Sequence, residues 1–254
     1  MAAVFIFINY GWIALSVEGG SEPLFMCLLY ASFLGVRSTR WKTAALLASL
    51  STTVRPVGVF ALLAFAVVLV SRRNYRKLAV ITVIGVAIGV LYVVPLWTLL
   101  GNPFENFIAY REVSGLGLDG WWLTFPFVHL VREYLGSLHS ERWALLVLPP
   151  IWLAAAMVGV VLMWLPRHRQ RFSPYRPEAL FASIYMLFLA SFNAYQVGLN
   201  LPRFLLPILP LCLFALRDWI PRARAVLWAG AVVSALLSAA ARVGLENILQ
   251  FHSP

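Results

Sequence analysis

Charged residues are scarce in this sequence, at 12% of its 254 residues, whereas a typical soluble domain has about 25%. Acidic residues are the scarcer sign, with ten Asp and Glu against twenty Lys and Arg. Hydrophobic residues account for 61% of the chain, and the mean hydropathy is +0.83. This composition predicts an integral membrane protein and argues against an ordinary soluble domain.

Cysteine and histidine are also rare, which limits the chemistry that the chain can perform. The two cysteines, Cys27 and Cys212, lie inside apolar runs, so no disulfide framework is predicted. His129 and His139 lack the spacing of metal ligands. We therefore predict no metal site and no cofactor. Residues 1–17 have no basic start and no cleavage pattern, so a signal peptide is not expected either.

The net charge of +10 would favour nucleic-acid binding in a soluble protein. Here the basic residues fall in short runs between apolar segments. Such runs mark the cytoplasmic ends of membrane segments. We therefore expect the membrane, and no nucleic acid, as the partner of these charges.

Apolar runs divide the chain into nine candidate membrane segments, several of them near 14 residues and so shorter than the roughly 20 that span a bilayer upright. Short or broken helices beside a wet cavity would accommodate such lengths. The prediction is an all-α, polytopic transmembrane helical bundle forming a single domain over residues 1–254. The segments are 2–17, 23–36, 43–54, 57–70, 78–100, 144–165, 179–192, 204–216 and 225–245.

The positive-inside rule gives these segments one consistent orientation. Four basic links hold fourteen of the twenty Lys and Arg, and eight of the ten acids fall on the opposite side. The N-terminus is then cytoplasmic, and the C-terminus lies outside. Residues 101–143 form an extracytoplasmic loop, in which 128–138 is predicted as an amphipathic helix at the interface.

Ionisable groups between apolar segments identify the outer face as the candidate site, because such groups are costly at membrane depth. Arg55 and Arg203 have the always-charged fork that binds phosphate oxygens. Glu22 and Glu18 are the candidates for a general base that activates an acceptor hydroxyl. The pattern predicts group transfer from a lipid phosphate.

Three further residues complete the predicted substrate site. Trp121 and Trp122 suit both the headgroup depth and the faces of sugars, and Asn200 lies in the polar turn before Arg203. Structural roles stay open beside the functional ones. Glu22 is also placed to cap a helix, the tryptophans to anchor the chain, Arg55 to pair with an acid, and Arg203 to mark the membrane boundary.

Four short motifs occur in the order seen in one enzyme class. The chain resembles the GT-C membrane glycosyltransferases and is most similar to their PIG-V-like mannosyltransferase family, over roughly residues 18–216. The motifs are Ser21-Glu22-Pro23-Leu24-Phe25, Arg55-Pro56-Val57-Gly58, Gly101-Asn102-Pro103 with Phe107, and Arg203-Phe204-Leu205-Leu206-Pro207.

The resemblance implies transfer of a sugar, typically mannose, from a polyprenyl-phosphate carrier to a lipid or glycan acceptor on the extracytoplasmic side, without a metal. It implies a multi-pass protein of the plasma membrane in a bacterium or of the endoplasmic reticulum in a eukaryote.

The family usually has its catalytic aspartate in a first outer loop, and no aspartate precedes Asp119 here. Either the sequence is shortened at its start, or Glu18 or Glu22 has the role, or the protein is not a working transferase. The alternatives are a transporter or flippase for a lipid-linked or anionic solute, since broken helices with charges also mark transport sites, and a non-catalytic membrane subunit.

Overall fold

The structure, a computed structural model, describes residues 21–102, 123, 125–128, 131–132, 135, 143–192, 203–218, 225, 228–229 and 232. All the regular elements in these ranges are helices, as the composition predicts. The α-helices are α1 (Glu22–Arg37), α2 (Trp41–Val54), α3 (Val59–Ser71), α4 (Tyr75–Leu100), α5 (Trp143–Trp164), α6 (Pro166–Phe172), α7 (Arg176–Ser191) and α8 (Leu209–Ala215). Short 3₁₀ turns precede α3 at Pro56–Gly58 and α7 at Ser173–Tyr175.

The chain divides into two compact units. The first, which we call the N-unit, comprises Ser21–Glu133 and Trp164–Val197; the second, the C-unit, comprises Met1–Gly20, Tyr134–Met163 and Gly198–Pro254. In the N-unit, α1 packs on α2, α2 packs on α4, and α3 packs on α4 and α7.

Aromatic side chains form the centre of the N-unit. The ring of Phe33 on α1 meets Phe65 on α3 at 5.7 Å and Phe181 on α7 at 5.5 Å between centroids, both edge to face. These three rings are almost completely buried. Edge-to-face pairs stabilise a core beyond the apolar area that they bury, so this cluster fixes three helices against one another.

Two tight turns of the same type connect the N-unit helices at one end. After α1, the N–H of Arg40 donates to the carbonyl of Gly35, and after α3, the N–H of Asn74 donates to the carbonyl of Leu69. This is the bonding of a Schellman motif, whose penultimate residue is usually glycine in the left-handed region. Here that residue is Thr39, at φ 59°, and Arg73, at φ 53°. Each non-glycine residue costs roughly 1–2 kcal/mol in this conformation.

The C-unit contains a close crossing of α5 and α8. A Cβ built on Gly159 would lie 2.5 Å from the Cβ of Cys212, and the Cys212 thiol lies 3.4 Å from the Ala156 carbonyl oxygen. Only a glycine allows the two backbones to approach this closely. Cys212 is buried and acts as a small packing residue.

One helix within the described ranges is long and apolar enough to cross a membrane. The span covers Tyr75–Leu99, 25 residues with a mean hydropathy of 2.5 in its most apolar window, of which 6% is buried. A core helix of a soluble protein would be mostly buried, and α4 instead exposes a row of aliphatic residues that includes Val83, Val86, Leu91 and Val94. These properties support an association with the membrane.

The nine predicted segments compare with the structure as follows. Six of them coincide with α1, α2, α3, α4, α5 and α7 to within a few residues. The segment at 204–216 is not one continuous helix, since turns at 206–208 separate a single helical turn at 203–205 from α8. The segment at 2–17 lies outside the described residues, as do most of 225–245 and most of the loop at 101–143. The all-helical class is thus confirmed for the described residues, and the number of crossings stays a prediction.

Candidate functional site

Glu22 and Arg55, 33 residues apart in sequence, meet in the N-unit. Arg55 Nη1 lies 2.6 Å from Glu22 Oε1. The Glu22 side chain is 1% exposed and that of Arg55 is 17% exposed. A charge-assisted hydrogen bond of this length, shielded from water, is among the stronger polar contacts in proteins.

The start of α1 positions Glu22. Ser21 precedes the helix, Pro23 occupies its first turn, and the N–H of Phe25 donates to the Ser21 carbonyl. A carboxylate in the first turn is favoured by the partial positive charge of the helix N-terminus. Phe25, fully buried, holds this turn against the core. Glu22 therefore lies in the first turn of α1 and pairs with Arg55, whereas the N-cap residue is Ser21, and the helix-capping role of Glu22 stays a prediction.

Arg55 is positioned by the Arg-Pro-Val-Gly sequence that ends α2. Its backbone is extended, at φ −145° and ψ 127°, because the following Pro56 disfavours the helical region. Its carbonyl accepts from the N–H of Gly58 at 2.9 Å, which closes the turn. A Cβ on Gly58 would lie 2.6 Å from Ser51 Oγ and 2.7 Å from Thr52 N. The motif thus folds tightly back on α2 and directs the Arg55 side chain toward α1.

An aromatic face of α7 packs on α3, which follows Arg55 in the sequence. The Tyr185 ring stacks on Phe181 and lies 6.1 Å from the ring of Phe60 between centroids. An arginine at such a boundary can offer donors to a phosphate on one side while its stem packs on apolar groups.

The remaining predicted site residues belong to the C-unit or lie outside the described residues. Arg203 is half-buried and lies in the C-unit, where its carbonyl accepts from the N–H of Leu206. Four others lie outside the described residues, namely Glu18, Trp121, Trp122 and Asn200. In the parts of the chain that the structure describes, no three His, Cys, Asp or Glu side chains are grouped as metal ligands.

The sequence did not predict a second ion pair of the N-unit, between Arg37 and Glu178. Both residues lie in the basic links, which were interpreted only as topology signals. Arg37, at the end of α1, donates to Glu178 Oε1 through Nε at 2.8 Å and Nη2 at 2.7 Å. The guanidinium also lies 3.9 Å over the ring of Tyr175. The signal available was that Glu178 is one of only two acids within the basic links.

The described residues therefore define an all-helical protein with a membrane-compatible helix and a buried ion pair at helix ends. Comparisons of the chain with models of protein families, with characterised proteins and with solved structures found no match.

Proposed function

We propose that this chain is a multi-pass membrane protein that acts on a polyprenyl-phosphate carrier at the extracytoplasmic face, as a mannosyltransferase of the GT-C type. The observation that supports this is the buried Glu22–Arg55 pair. It joins two of the four motifs on which the resemblance rests. The acceptor is a lipid or a glycan.

In this proposal Arg55 holds the carrier phosphate. A guanidinium has five N–H donors, and the described contact with Glu22 uses one at Nη1. The partial exposure of Arg55 leaves a route for a phosphate oxygen to reach the other donors. Arg203 is proposed to bind the carrier phosphate with a second guanidinium. The proposed lining of the acceptor groove comprises Trp121, Trp122 and Asn200.

Glu22 is better suited to positioning Arg55 than to removing a proton. Its Oε1 accepts a hydrogen bond from a permanent cation, so that oxygen is already engaged. Glu18 is then the remaining candidate base among the residues that the sequence singled out.

The test is to measure binding of a polyprenyl-phosphate sugar to the full chain in nanodiscs. Arg55→Ala should weaken binding about tenfold or more, since hydrogen bonds to charged groups contribute roughly 1.5–3 kcal/mol. Arg40→Ala, which removes an exposed cation at the other end of α1, is the matched control and should bind normally. Unchanged binding in a folded Arg55→Ala protein would contradict the assignment of Arg55.

A non-catalytic membrane subunit is the second candidate, and a specific observation favours it. Each acid among the described residues, Glu22, Glu178 and Asp218, is in an ion pair with an arginine. A subunit that positions a carrier for another protein needs no base of its own. Sugar transfer by the purified chain alone would exclude this candidate, whereas solute uptake into proteoliposomes without an acceptor would favour a transporter or flippase instead.

A further inference from the structure

A cavity of about 240 Å³ lies at the end of the N-unit opposite the Glu22–Arg55 pair. Its polar lining comes from three helix boundaries: Arg37 and Thr39 at the end of α1, Arg72 after α3, and Asn74 with Lys77 at the start of α4. We propose that this cavity binds a phosphate group, presented by an anionic phospholipid headgroup or by a soluble phosphate. The site is distinct from the carrier site proposed above.

The charges around the cavity are unbalanced. Three basic residues line the cavity, Arg37, Arg72 and Lys77, and no acid is among its described lining residues. Glu178 is the counterion of Arg37. No ion pair is described for Arg72 or Lys77 in the residues that the structure covers. These two cations at one concavity favour an anion there.

Two of the cations are held in place by neighbouring groups. Arg37 is fixed by its two contacts with Glu178 and by the ring of Tyr175. Lys77 Nζ lies 5.6 Å from the ring centroid of Trp41, which is 8% exposed and lines the cavity floor. Because these side chains are already ordered, less conformational entropy is lost when an anion binds.

The backbone around the cavity is strained where glycine would relieve it. Thr39, which lines the cavity, and Arg73, beside Arg72, are the two left-handed residues of the Schellman turns. Such strain tends to be retained at binding sites. The cavity volume is below the 300–1,000 Å³ of typical small-molecule pockets, which suits a phosphate headgroup better than a nucleotide.

The positive-inside rule indicates which membrane surface is involved. These turns belong to the basic links that the rule assigns to the cytoplasm, where anionic lipids attract basic segments. The apolar part of the lining includes Val68 and Leu69 from the end of α3, both almost completely buried.

The experiment uses the full chain in nanodiscs and measures the thermal midpoint, Tm. One arm compares phosphatidylcholine with phosphatidylcholine containing phosphatidylglycerol, and the other titrates inorganic phosphate in phosphatidylcholine alone. The cavity variant is Arg72→Gln with Lys77→Gln. The control is Arg40→Gln with Arg76→Gln, which removes the same charge from exposed residues of the same links outside the cavity lining.

We expect an anion to raise Tm by about 2–4 °C in the native and control proteins but not in the cavity variant. A rise with phosphatidylglycerol alone identifies a lipid as the ligand, and a rise with inorganic phosphate as well identifies a soluble phosphate as sufficient. An equal rise in both variants, or none in the native protein, overturns the proposal. If the double variant fails to fold, Lys77→Gln against Arg76→Gln gives the same comparison with one charge.

Discussion

At the scale of residues, the Glu22–Arg55 pair is the feature whose energetics can be measured most directly. Removing one member of a buried pair leaves the other charge without its counterion and typically costs 3–5 kcal/mol, whereas replacing both is much milder. We therefore expect Glu22→Gln and Arg55→Met each to destabilise the protein strongly. The double variant should lose less than the sum of the single losses, as measured by denaturant unfolding in micelles.

The pair of Arg217 and Asp218 serves as the control for that cycle. Its closest atoms are 3.5 Å apart and both side chains are 42% exposed, so its contribution should be about 0–1 kcal/mol. Additive losses at Glu22 and Arg55 would show that the two side chains are energetically independent, and they would remove the pairing as an organiser of the site.

Glu178 gives the stability a dependence on pH. Burial raises the pKa of Glu178 above its ordinary value of 4.5, although a backbone hydrogen bond and the Arg37 charge oppose the shift. The folded state then binds the proton more tightly than the unfolded state. The stabilisation that Glu178 contributes is fully present below about pH 4.5. It is lost as the pH rises through the pKa that Glu178 has in the folded state.

Glu178→Gln should remove this dependence, because the amide does not titrate. The measurement is Tm across pH 4–8 for the native protein and the variant. Asp218→Asn, at an exposed acid, is the control and should keep the native slope. The interpretation fails if Glu178→Gln and the native protein lose stability in parallel as the pH rises.

At the scale of elements, the turn between α2 and α3 depends on Gly58. A Cβ at this position would meet backbone atoms of Ser51 and Thr52 at 2.7–2.8 Å, and backbone cannot move aside as a flexible side chain can. Gly58→Ala should therefore destabilise the protein by about 1–3 kcal/mol. Gly89→Ala is the control, because nothing lies within 4 Å of its Cβ. A Gly58→Ala protein as stable as the native one would show that the turn is looser than described.

The same turn shows how far the sequence predicts this structure. Proline and glycine in Arg55-Pro56-Val57-Gly58 predict a break between two helices, and the break lies there because both signals are local. The contact of Arg55 with Glu22 was left open between structural and functional roles. It depends on the packing of α1 against α2, which apolar periodicity does not determine. By contrast, the break in the 204–216 segment has a local signal, because Pro207 and Pro210 lie in or beside the turns at 206–208 and oppose a continuous helix.

Gly101 shows that a motif residue can have a purely local explanation. It ends α4 in the left-handed conformation, at φ 73°, and its N–H donates to the Trp97 carbonyl. Glycine is the usual residue there for steric reasons. The glycine of this motif therefore has a local explanation that requires no enzymatic role.

At the scale of the whole molecule, the main question is whether the short helices cross the bilayer. Helix α1 has 16 residues, about 24 Å at 1.5 Å per residue, which is less than the roughly 30 Å of the hydrocarbon core. Its last turn nevertheless contains Arg37, and the positive-inside rule favours a basic residue at the cytoplasmic end of a crossing helix. Local thinning or flanking side chains that reach the interface can accommodate such a mismatch.

Accessibility of single cysteines on intact cells tests this crossing. In a background with Cys27 and Cys212 replaced by serine and alanine, Ser21→Cys and Lys42→Cys place thiols at exposed positions near opposite ends of α1. A membrane-impermeant maleimide should label Ser21→Cys directly and Lys42→Cys only after permeabilisation. Equal labelling from one side would mean that α1 does not cross, and the pair at Glu22 and the phosphate cavity would then face the same compartment.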